Sequence, residues 1–305
     1  MKYCQAILMR EKVKHVEVIY VKHPEALELA AQEPHVMAIG FFDGVHLGHQ
    51  SLLNEAKRIA KKKNHTFTAM TFDPHPNEII KFEKNMRYIT PLPSKIEKLA
   101  ALGVERLFIV SFDLAFASLS PSDFIDQYVL GLQARQIVVG FDFTFGRKAQ
   151  GTIDYLNTAS KNKGFDVTVI SKKTHNDEKI SSTMIRKQLR AGKVQLIPDY
   201  LGQLYEIKGS IQLPNWHNSG NESSFGFIAD MKYMLPAPGT YHVEVLYSGR
   251  TIRGLFSRKH SSLPINSLSG VPKQCLGGEC TIKFLSSVQI PQQAKLECNL
   301  KEVIY

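Results

Sequence analysis

The 305-residue sequence predicts an α/β fold, a doubly wound parallel sheet, followed by a small antiparallel β-barrel. The first observation is that short apolar runs alternate with helical patterns from Val16 to about Gly192. The second is that these runs are continuous and rich in β-branched residues, which is typical of buried parallel strands. The third is a change of rhythm after Gly192, where short runs are separated by Pro, Gly, Ser and Asn.

The predicted elements of the first region follow one another as strand and helix. Six strands are predicted at VEVIYV (16–21), VMAIGF (36–41), FTAMTF (67–72), RLFIVSF (106–112), QIVVGF (136–141) and DVTVISK (166–172). Four helices are predicted at 49–63, 94–103, 120–131 and 153–164, with Ser94 and either Ser120 or Ser122 at N-cap positions. This alternation predicts right-handed crossovers and a ligand site at the carboxyl ends of the strands.

The second region predicts a different architecture. Residues 196–209 are predicted as a short helix and a connector. The strand-like runs SIQL, FGFIADM, TYHVEVLY, TIRGLF and CTIKFL come later. We therefore expect a first domain over residues 1–190, a connector over 191–204 and a β-barrel over 205–305.

The composition limits the class of protein. Apolar residues make up 43% of the chain, enough to bury a core, and the formal net charge is +10. That charge suits nucleic acid, a membrane surface or a phosphorylated metabolite, but no basic stripe with interleaved aromatic residues supports nucleic acid. The N-terminal region has charges where a signal peptide needs an apolar core, and no run of about eighteen apolar residues occurs. We expect a soluble, cytoplasmic protein that binds no membrane, and its oligomeric state stays open.

The four cysteines are too few and too scattered for a disulfide framework. Cys275 and Cys280 have the spacing of half a metal site, but no second pair of Cys or His matches it. We expect reduced, structural thiols.

The stretch GFFDGVHLGHQSLL (40–53) follows the second predicted strand and opens a helix. Gly44 and Gly48 let the backbone come close to a ligand, and His49 stands near the first turn, whose free N–H groups attract anions. His46 lies three residues earlier, so both imidazoles can face one polyphosphate. From the residues alone, three interpretations of this stretch stay open: a glycine-rich turn with two surface histidines, half of a metal site, or a phosphate-binding loop.

Three more polar stretches fall at carboxyl ends of predicted strands. TFDPHP (71–76) is a proline-stiffened loop, and VVGFDFTFGRKAQG (138–151) runs from a strand into an aromatic, glycine-rich loop. ISSTMIRKQLRAG (180–192) combines helix-capping hydroxyls with Arg186 one turn later, which together can grip an anion. An ordinary turn, core packing of the phenylalanines and a plain N-cap are the respective alternatives.

Taken in this order, GFFDGVHLGHQSLL, TFDPHP, VVGFDFTFG and ISSTMIRKQL resemble the FAD synthetase module of bacterial bifunctional riboflavin kinase/FAD synthetases. The resemblance covers about residues 16–192. It implies a Rossmann-like nucleotidyltransferase domain of the HxGH type. The implied activity is that of an FMN adenylyltransferase, which transfers AMP from ATP to the substrate FMN and gives FAD and pyrophosphate, with Mg²⁺ assistance.

The resemblance also implies roles for individual residues. Catalysis would fall to His46, His49 and Arg186. ATP would be bound by Gly40, Phe41, Asp43, Gly44, His46, Gly48, His49, Asp142, Ser181, Ser182, Thr183 and Arg186. FMN would be bound by Asp73, His75, Pro76 and Phe143. Asp142 is also the one candidate metal ligand.

The second domain departs from the family pattern. The kinase motif G-F-P-T-A-N has its best counterpart in SFGFIADM (224–231), where Phe227, Ile228 and Asp230 replace proline, threonine and asparagine. An isoleucine has no oxygen to offer Mg²⁺ or ATP. Glu279 is an unconvincing candidate for the catalytic glutamate. We expect a barrel that has lost riboflavin phosphorylation.

Three alternatives to a monofunctional FMN adenylyltransferase stay open. One is a bifunctional enzyme that also phosphorylates riboflavin to FMN. Another is a non-catalytic flavin- or nucleotide-binding regulator. The third is a nucleotidyltransferase with a different acceptor, against which TFDPHP and VVGFDFTFG argue.

Overall fold

The computed structural model describes residues 10–13, 15–24, 33–83, 85–212, 224–230, 232–259, 266–272 and 275–288. The chain divides into two compact units, Met1–Ser182 and Thr183–Tyr305. No helix within these described ranges is both long and apolar enough to cross a membrane.

A seven-stranded sheet forms the centre of the first unit. Its strands are β1 (Arg10–Val13), β2 (Val16–Val21), β3 (His35–Ile39), β4 (Thr66–Asp73), β5 (Arg106–Ser111), β6 (Ala134–Gly140) and β7 (Asp166–Ile170). They lie in the order β1-β2-β5-β4-β3-β6-β7, and every neighbouring pair is parallel except the antiparallel pair β1–β2. The direction of chain order reverses between β3 and β6, and in such sheets ligands bind in the crevice at that point.

Helices cover both faces of this sheet. They are α1 (Leu47–Lys63), α2 (Pro76–Ile80), α3 (Leu92–Ala101), α4 (Leu114–Ala117), α5 (Pro121–Phe124) with a π-helical turn (Ile125–Leu130), and α6 (Ile153–Lys163). Leu53 of α1 and Leu99 of α3 share one core cluster, while Phe124 of α5 and Leu156 of α6 share the other. The predicted doubly wound α/β domain is confirmed.

Several local predictions need correction. The predicted helix 94–103 begins at Leu92 with Pro91 as N-cap, so Ser94 lies buried in the first turn and is not the N-cap. The predicted helix 120–131 is α5 followed by the π-helical turn, and here Ser120 is the N-cap as expected. The sequence reading also missed β1, α2, α4 and the short hairpin of β8 (Thr174–His175) and β9 (Glu178–Lys179).

The second unit contains a closed antiparallel barrel, as predicted. Its strands are β10 (Tyr205–Gln212), β11 (Ser224–Ala229), β12 (Gly239–Tyr247), β13 (Arg250–Arg258), β14 (Asn266–Ser269) and β15 (Glu279–Ser287), in the order β10-β11-β14-β13-β12-β15. Two helices precede it, α7 (Ser182–Arg190) and α8 (Pro198–Leu201). Within the stretch 196–209, predicted as a short helix and a connector, the residues from Tyr205 onward belong to β10, which pairs with β15.

Aromatic side chains fill the interior of the barrel. At most 2% of each is exposed: Tyr205, Phe227, Tyr241, Phe256 and Phe284. Tyr205 and Tyr241 donate their hydroxyl protons to the carbonyl oxygens of Met234 and Ala237, each over 2.5 Å. These hydrogen bonds remove the cost of burying the two hydroxyls.

Candidate active site

A tight turn joins β3 to α1 at the carboxyl edge of the sheet. Phe42, Gly44 and Val45 all have left-handed backbone, with φ of 56°, 83° and 45°. The Val45 amide donates to the Phe42 carbonyl over 3.2 Å, and the Gln50 side chain donates to the Val45 carbonyl over 2.9 Å. At Gly40, an added Cβ would lie 2.9 Å from the Phe42 ring, so this close approach requires glycine.

The turn delivers His46 to the N-terminus of α1. His46 is the N-cap, and its Nδ1 accepts a hydrogen bond from the His49 amide over 3.2 Å. In the neutral ring the proton is therefore assigned to Nε2. The rings of His46 and His49 stack, with centroids 3.6 Å apart and planes inclined by 13°. At Gly48 an added Cβ would lie 3.2 Å from the His46 ring, so a small residue suits this position.

Both histidines are held neutral at physiological pH. Burial, with a smaller effect from Lys179, lowers the pKa of His46 to about 4. Burial, followed by the charges of His46 and Lys95, lowers the pKa of His49 well below its usual value. The His49 Nδ1 is buried and finds no hydrogen-bond partner among the residues that the structure describes. The pair is thus suited to donate hydrogen bonds to an anion rather than to pair with it as cations.

The geometry does not favour a metal between the two histidines. The His46 Nδ1 is occupied as a helix cap. Within the described part of the chain there is no group of three or more His, Cys, Asp or Glu residues that could hold a metal ion. Cys275 and Cys280 are free, buried thiols.

Asp43 anchors the turn from within. Its carboxylate is 2% exposed and accepts hydrogen bonds from the amides of Ile89 and Thr90, over 3.3 and 3.0 Å. Its carbonyl oxygen accepts a hydrogen bond from the Ser182 hydroxyl over 2.9 Å. The structure thus brings Ser182, from the fourth motif, to the histidine motif. The role of Asp43 in ATP binding stays a prediction.

The TFDPHP loop lies beside the same turn. β4 ends at Asp73, and His75 is the N-cap of α2, where its Nδ1 accepts from the Asn77 amide over 3.0 Å. Pro76 occupies the first helical position, as is common for proline. The rings of His75 and Phe41 form a T-shaped pair, with 4.3 Å between their centroids. This contact joins the predicted ATP stretch to the predicted FMN stretch.

Asp142 and Phe143 lie past the end of β6, across the switch point from β3. Asp142 forms an ion pair with Lys179, with 2.5 Å between Oδ2 and Nζ. The same ammonium lies 4.6 Å from the centre of the Phe141 ring. Phe143 is half-buried and stacks on Phe145, with centroids 5.5 Å apart. The Asp142 carboxylate, the candidate metal ligand, is thus paired with the ammonium of Lys179 in this structure.

The fourth motif spans the division of the chain. α7 begins at Ser182, so Ser181 directly precedes the helix. Thr183 and Arg186 belong to the second unit, where the Arg186 guanidinium lies 3.7 Å from the Met234 sulfur. The predicted approach of these residues to the phosphates stays a prediction.

Lys95 is a candidate site residue that sequence reasoning missed. It is 2% exposed, and its ammonium lies 4.0 Å from the centre of the Phe41 ring. A signal was present, because Lys95 falls four residues before Leu99 and seven before Leu102 and so shares an apolar helical face. Thr71, whose hydroxyl donates to the Phe41 carbonyl over 2.9 Å, was also passed over.

The kinase-like stretch lies in β11. Phe227 is fully buried, Ile228 is half-buried, and Asp230 accepts a hydrogen bond from the Lys232 amide over 2.9 Å. Glu279 opens β15 and is exposed. The hydroxyl and amide that the kinase motif would place in this stretch are replaced by an apolar chain and a carboxylate.

Comparisons with known proteins confirm the family resemblance that the four motifs predicted. The FAD synthetase family model matches residues 28–184. The bifunctional riboflavin kinase/FMN adenylyltransferase of Bacillus subtilis is 39% identical over 246 residues, which cover 79% of this chain and 76% of the relative. An FAD synthetase of Listeria monocytogenes is 36% identical over 210 residues, which cover 68% of this chain and 80% of the relative.

Among solved structures, a macrolide-efflux protein from Streptococcus pneumoniae superposes with a TM-score of 0.80, covering 94% of this chain and 97% of its own. Its sequence identity is 24%, so the likeness concerns the fold alone.

Proposed function

The chain belongs to the FAD synthetase family, and from this premise we propose that it transfers AMP from ATP to FMN. The products are FAD and pyrophosphate. The observation that carries the proposal is the stacked, neutral pair His46 and His49 at the N-terminus of α1. This pair lies at the switch point of the sheet, where helix N–H groups and imidazole N–H groups suit polyphosphate.

The reaction needs positioning and charge stabilisation rather than a covalent enzyme intermediate. An oxygen of the FMN phosphate attacks the α-phosphorus of ATP, and the bond from that phosphorus to the oxygen bridging the β-phosphorus breaks. The electron pair leaves with pyrophosphate. The neutral histidines donate N–H hydrogen bonds to phosphate oxygens on which charge develops. Arg186 supplies a permanent positive charge from the SSTxxR motif.

The remaining site residues divide between the two substrates. Asp73, His75, Pro76 and Phe143 would contact FMN. ATP would be held by Gly40, Phe41, Asp43, Gly44, Gly48, Asp142, Ser181, Ser182 and Thr183 beside the catalytic residues. The contact between Phe41 and His75 supports this division, because it puts the two sets next to each other.

Mg²⁺ fits this site as a companion of ATP rather than as a resident ion. The described residues offer no three-ligand cluster, and Mg²⁺ commonly binds through substrate phosphates with one or two carboxylates. Asp142 is the candidate carboxylate, although it pairs with Lys179. When bound, Mg²⁺ neutralises phosphate charge.

We also propose that the barrel has no riboflavin kinase activity. Support comes from the side chain of Ile228, which has no oxygen for a metal or a phosphate, and from the buried Phe227. In this proposal residues 1–190 form the adenylyltransferase, 191–204 a connector and 205–305 an inactive kinase-like barrel. We also propose a cytoplasmic location, because ATP and FMN are present there.

One experiment tests both parts. The protein is incubated with ATP, Mg²⁺ and either FMN or riboflavin, and the flavins are separated by HPLC. We expect FAD and pyrophosphate from FMN, and neither FMN nor FAD from riboflavin. FMN formed from riboflavin would contradict the monofunctional assignment, and absence of FAD in the first reaction would refute the adenylyltransferase.

A further inference from the structure

Lys95 is a buried cation between the two substrate stretches. It lies on α3 with 2% of its side chain exposed, although lysine is almost never fully buried without a partner. Its ammonium lies over the face of Phe41, 4.0 Å from the ring centre. The same ring also lies close to His75, at 4.3 Å between centroids, and to Tyr88, at 6.1 Å.

A hydroxyl links the same ammonium to the Phe41 backbone. Lys95 Nζ donates to Thr71 Oγ1 over 3.3 Å, and Thr71 donates in turn to the Phe41 carbonyl over 2.9 Å. Lys95 therefore restrains both the ring and the backbone of one residue. Thr71 opens the TFDPHP stretch, so the restraint joins the end of β3 to the end of β4.

The charges around Lys95 come from several elements. Asp43, on the turn after β3, and Asp73, at the end of β4, both favour the ammonium form. Burial outweighs them and lowers the pKa of Lys95 to about 8. The positive charge of Lys95 also helps to lower the pKa of His49, on α1. Tyr88 also lies beside Phe41, and burial raises the pKa of its phenol.

We propose that Lys95 is a positioning residue for the adenylyl transfer, which fixes Phe41 between the two nucleotides through the ring contact and through Thr71. Its charged form is the one that acts. The inference rests on the proposed function, because it assumes that the two stretches bind the two substrates.

The physical reason is the geometry of the attack. Two phosphate groups must meet in line, and a misplacement of about 1 Å can cost about 10²-fold in rate. A cation over an aromatic face is attracted to the ring and so restrains its position. Loss of the Lys95 proton would remove both the attraction of the cation to the ring and the charge that favours substrate anions.

The test compares three variants with the wild type. Lys95→Met keeps the length of the side chain without the charge, and Lys95→Arg keeps a charge that does not titrate. Thr71→Val removes the hydroxyl relay and leaves the ammonium. Lys62→Met, at an exposed position of α1, is the matched control. Circular dichroism and thermal unfolding identify the variants that fold.

Initial rates of FAD formation are measured from pH 6 to 9.5 with saturating Mg²⁺. We expect the wild-type kcat/KM to fall above about pH 8, where Lys95 loses its proton. His46 and His49, whose pKa values are lowered, do not titrate in that range, and neither do the phosphates, whose second pKa is about 6. Lys95→Met lowers kcat/KM by about 10²-fold and shows no fall near pH 8. Lys95→Arg retains more activity than Lys95→Met and also shows no fall near pH 8. Thr71→Val has a reduced kcat/KM that still falls near pH 8.

Two outcomes would overturn the inference. One is a fall near pH 8 that persists in Lys95→Met or Lys95→Arg, because another group would then titrate. The other is a folded Lys95→Met with kcat/KM within about threefold of the Lys62→Met control. A wild type that makes no FAD refutes the proposed function instead, so the two failures are distinguishable.

Discussion

His35 shows how one buried side chain makes the fold sensitive to acid. It is fully buried on β3, with Nε2 2.7 Å from the Leu132 carbonyl and Nδ1 2.7 Å from the Thr68 hydroxyl. In the neutral ring Nε2–H donates to the Leu132 carbonyl, which can only accept, and Nδ1 lies against the Thr68 hydroxyl. Burial lowers the pKa of His35 from 6.5 to about 4, against the hydrogen bond to Leu132, which raises it.

The sign of the pH effect follows from this lowering. Between pH 6.5 and 4 the unfolded chain binds more protons at His35 than the folded chain does, so stability is full above pH 6.5 and falls as the pH falls. We expect this residue to account for about 2 kcal/mol of the loss between pH 7 and pH 5. The measurement is urea unfolding of the wild type and of His35→Gln at both values.

The variant should be less stable at pH 7 but should lose less stability on acidification. The exposed His242→Gln serves as the control and should keep the wild-type slope. Equal slopes in the wild type and His35→Gln would show that His35 is not held neutral by burial.

At the level of the element, α1 depends on an imidazole as its N-cap. His46 accepts the His49 amide in the way that Ser, Thr, Asp or Asn ordinarily does. In the proposed function the ring has two tasks, since Nδ1 starts the helix and Nε2–H is left to donate to phosphate.

Two substitutions separate these tasks. His46→Asn keeps a good capping group, so its unfolding free energy should stay close to that of the wild type. His46→Ala should lose about 1 kcal/mol. Both should lower kcat for FAD formation by about 10²–10³, the usual scale for one oxyanion-type donor. Urea unfolding and steady-state kinetics measure the two effects. Wild-type kcat in His46→Asn would exclude a role for the imidazole in the reaction.

The sequence predicts some elements more accurately than others. The strand VEVIYV was predicted over the residues that β2 occupies, because a continuous β-branched run has few alternatives. α1 begins two residues earlier than predicted, since histidine is not among the usual capping residues. The strand β14 and the hairpin of β8 and β9 are too short to leave a periodic signal.

The motifs of the candidate site can be recognised in the sequence, but the contacts among its residues cannot. The positions of His46 and His49 follow from a three-residue spacing at a strand-to-helix turn. The support beneath them depends on residues far apart in the chain, such as Lys95 over Phe41 and Ser182 on Asp43. No local pattern encodes which distant side chain lies under a ring.

At the level of the whole molecule, the formal net charge of +10 should act on substrate capture. Both proposed substrates are anions, and screening shortens the Debye length from about 10 Å at 0.1 M salt to about 3 Å at 1 M. We expect KM for ATP and for FMN to rise roughly three- to tenfold between 0.05 and 0.5 M KCl, with kcat changing less.

Steady-state kinetics at a series of KCl concentrations measures the effect. A series in sucrose at matched osmolality is the control, because sucrose changes no charge screening. KM values that respond equally to both solutes would assign the effect to hydration rather than to the field of the protein.

The left-handed residues of the turn after β3 have a consequence for binding. Phe42 and the β-branched Val45 occupy a backbone region that disfavours such side chains, and the strain is present before any substrate arrives. The turn is therefore preorganised: its shape is fixed when the chain folds. In the proposed reaction, substrate binding energy would then not be consumed in ordering the histidines and would remain for the transition state.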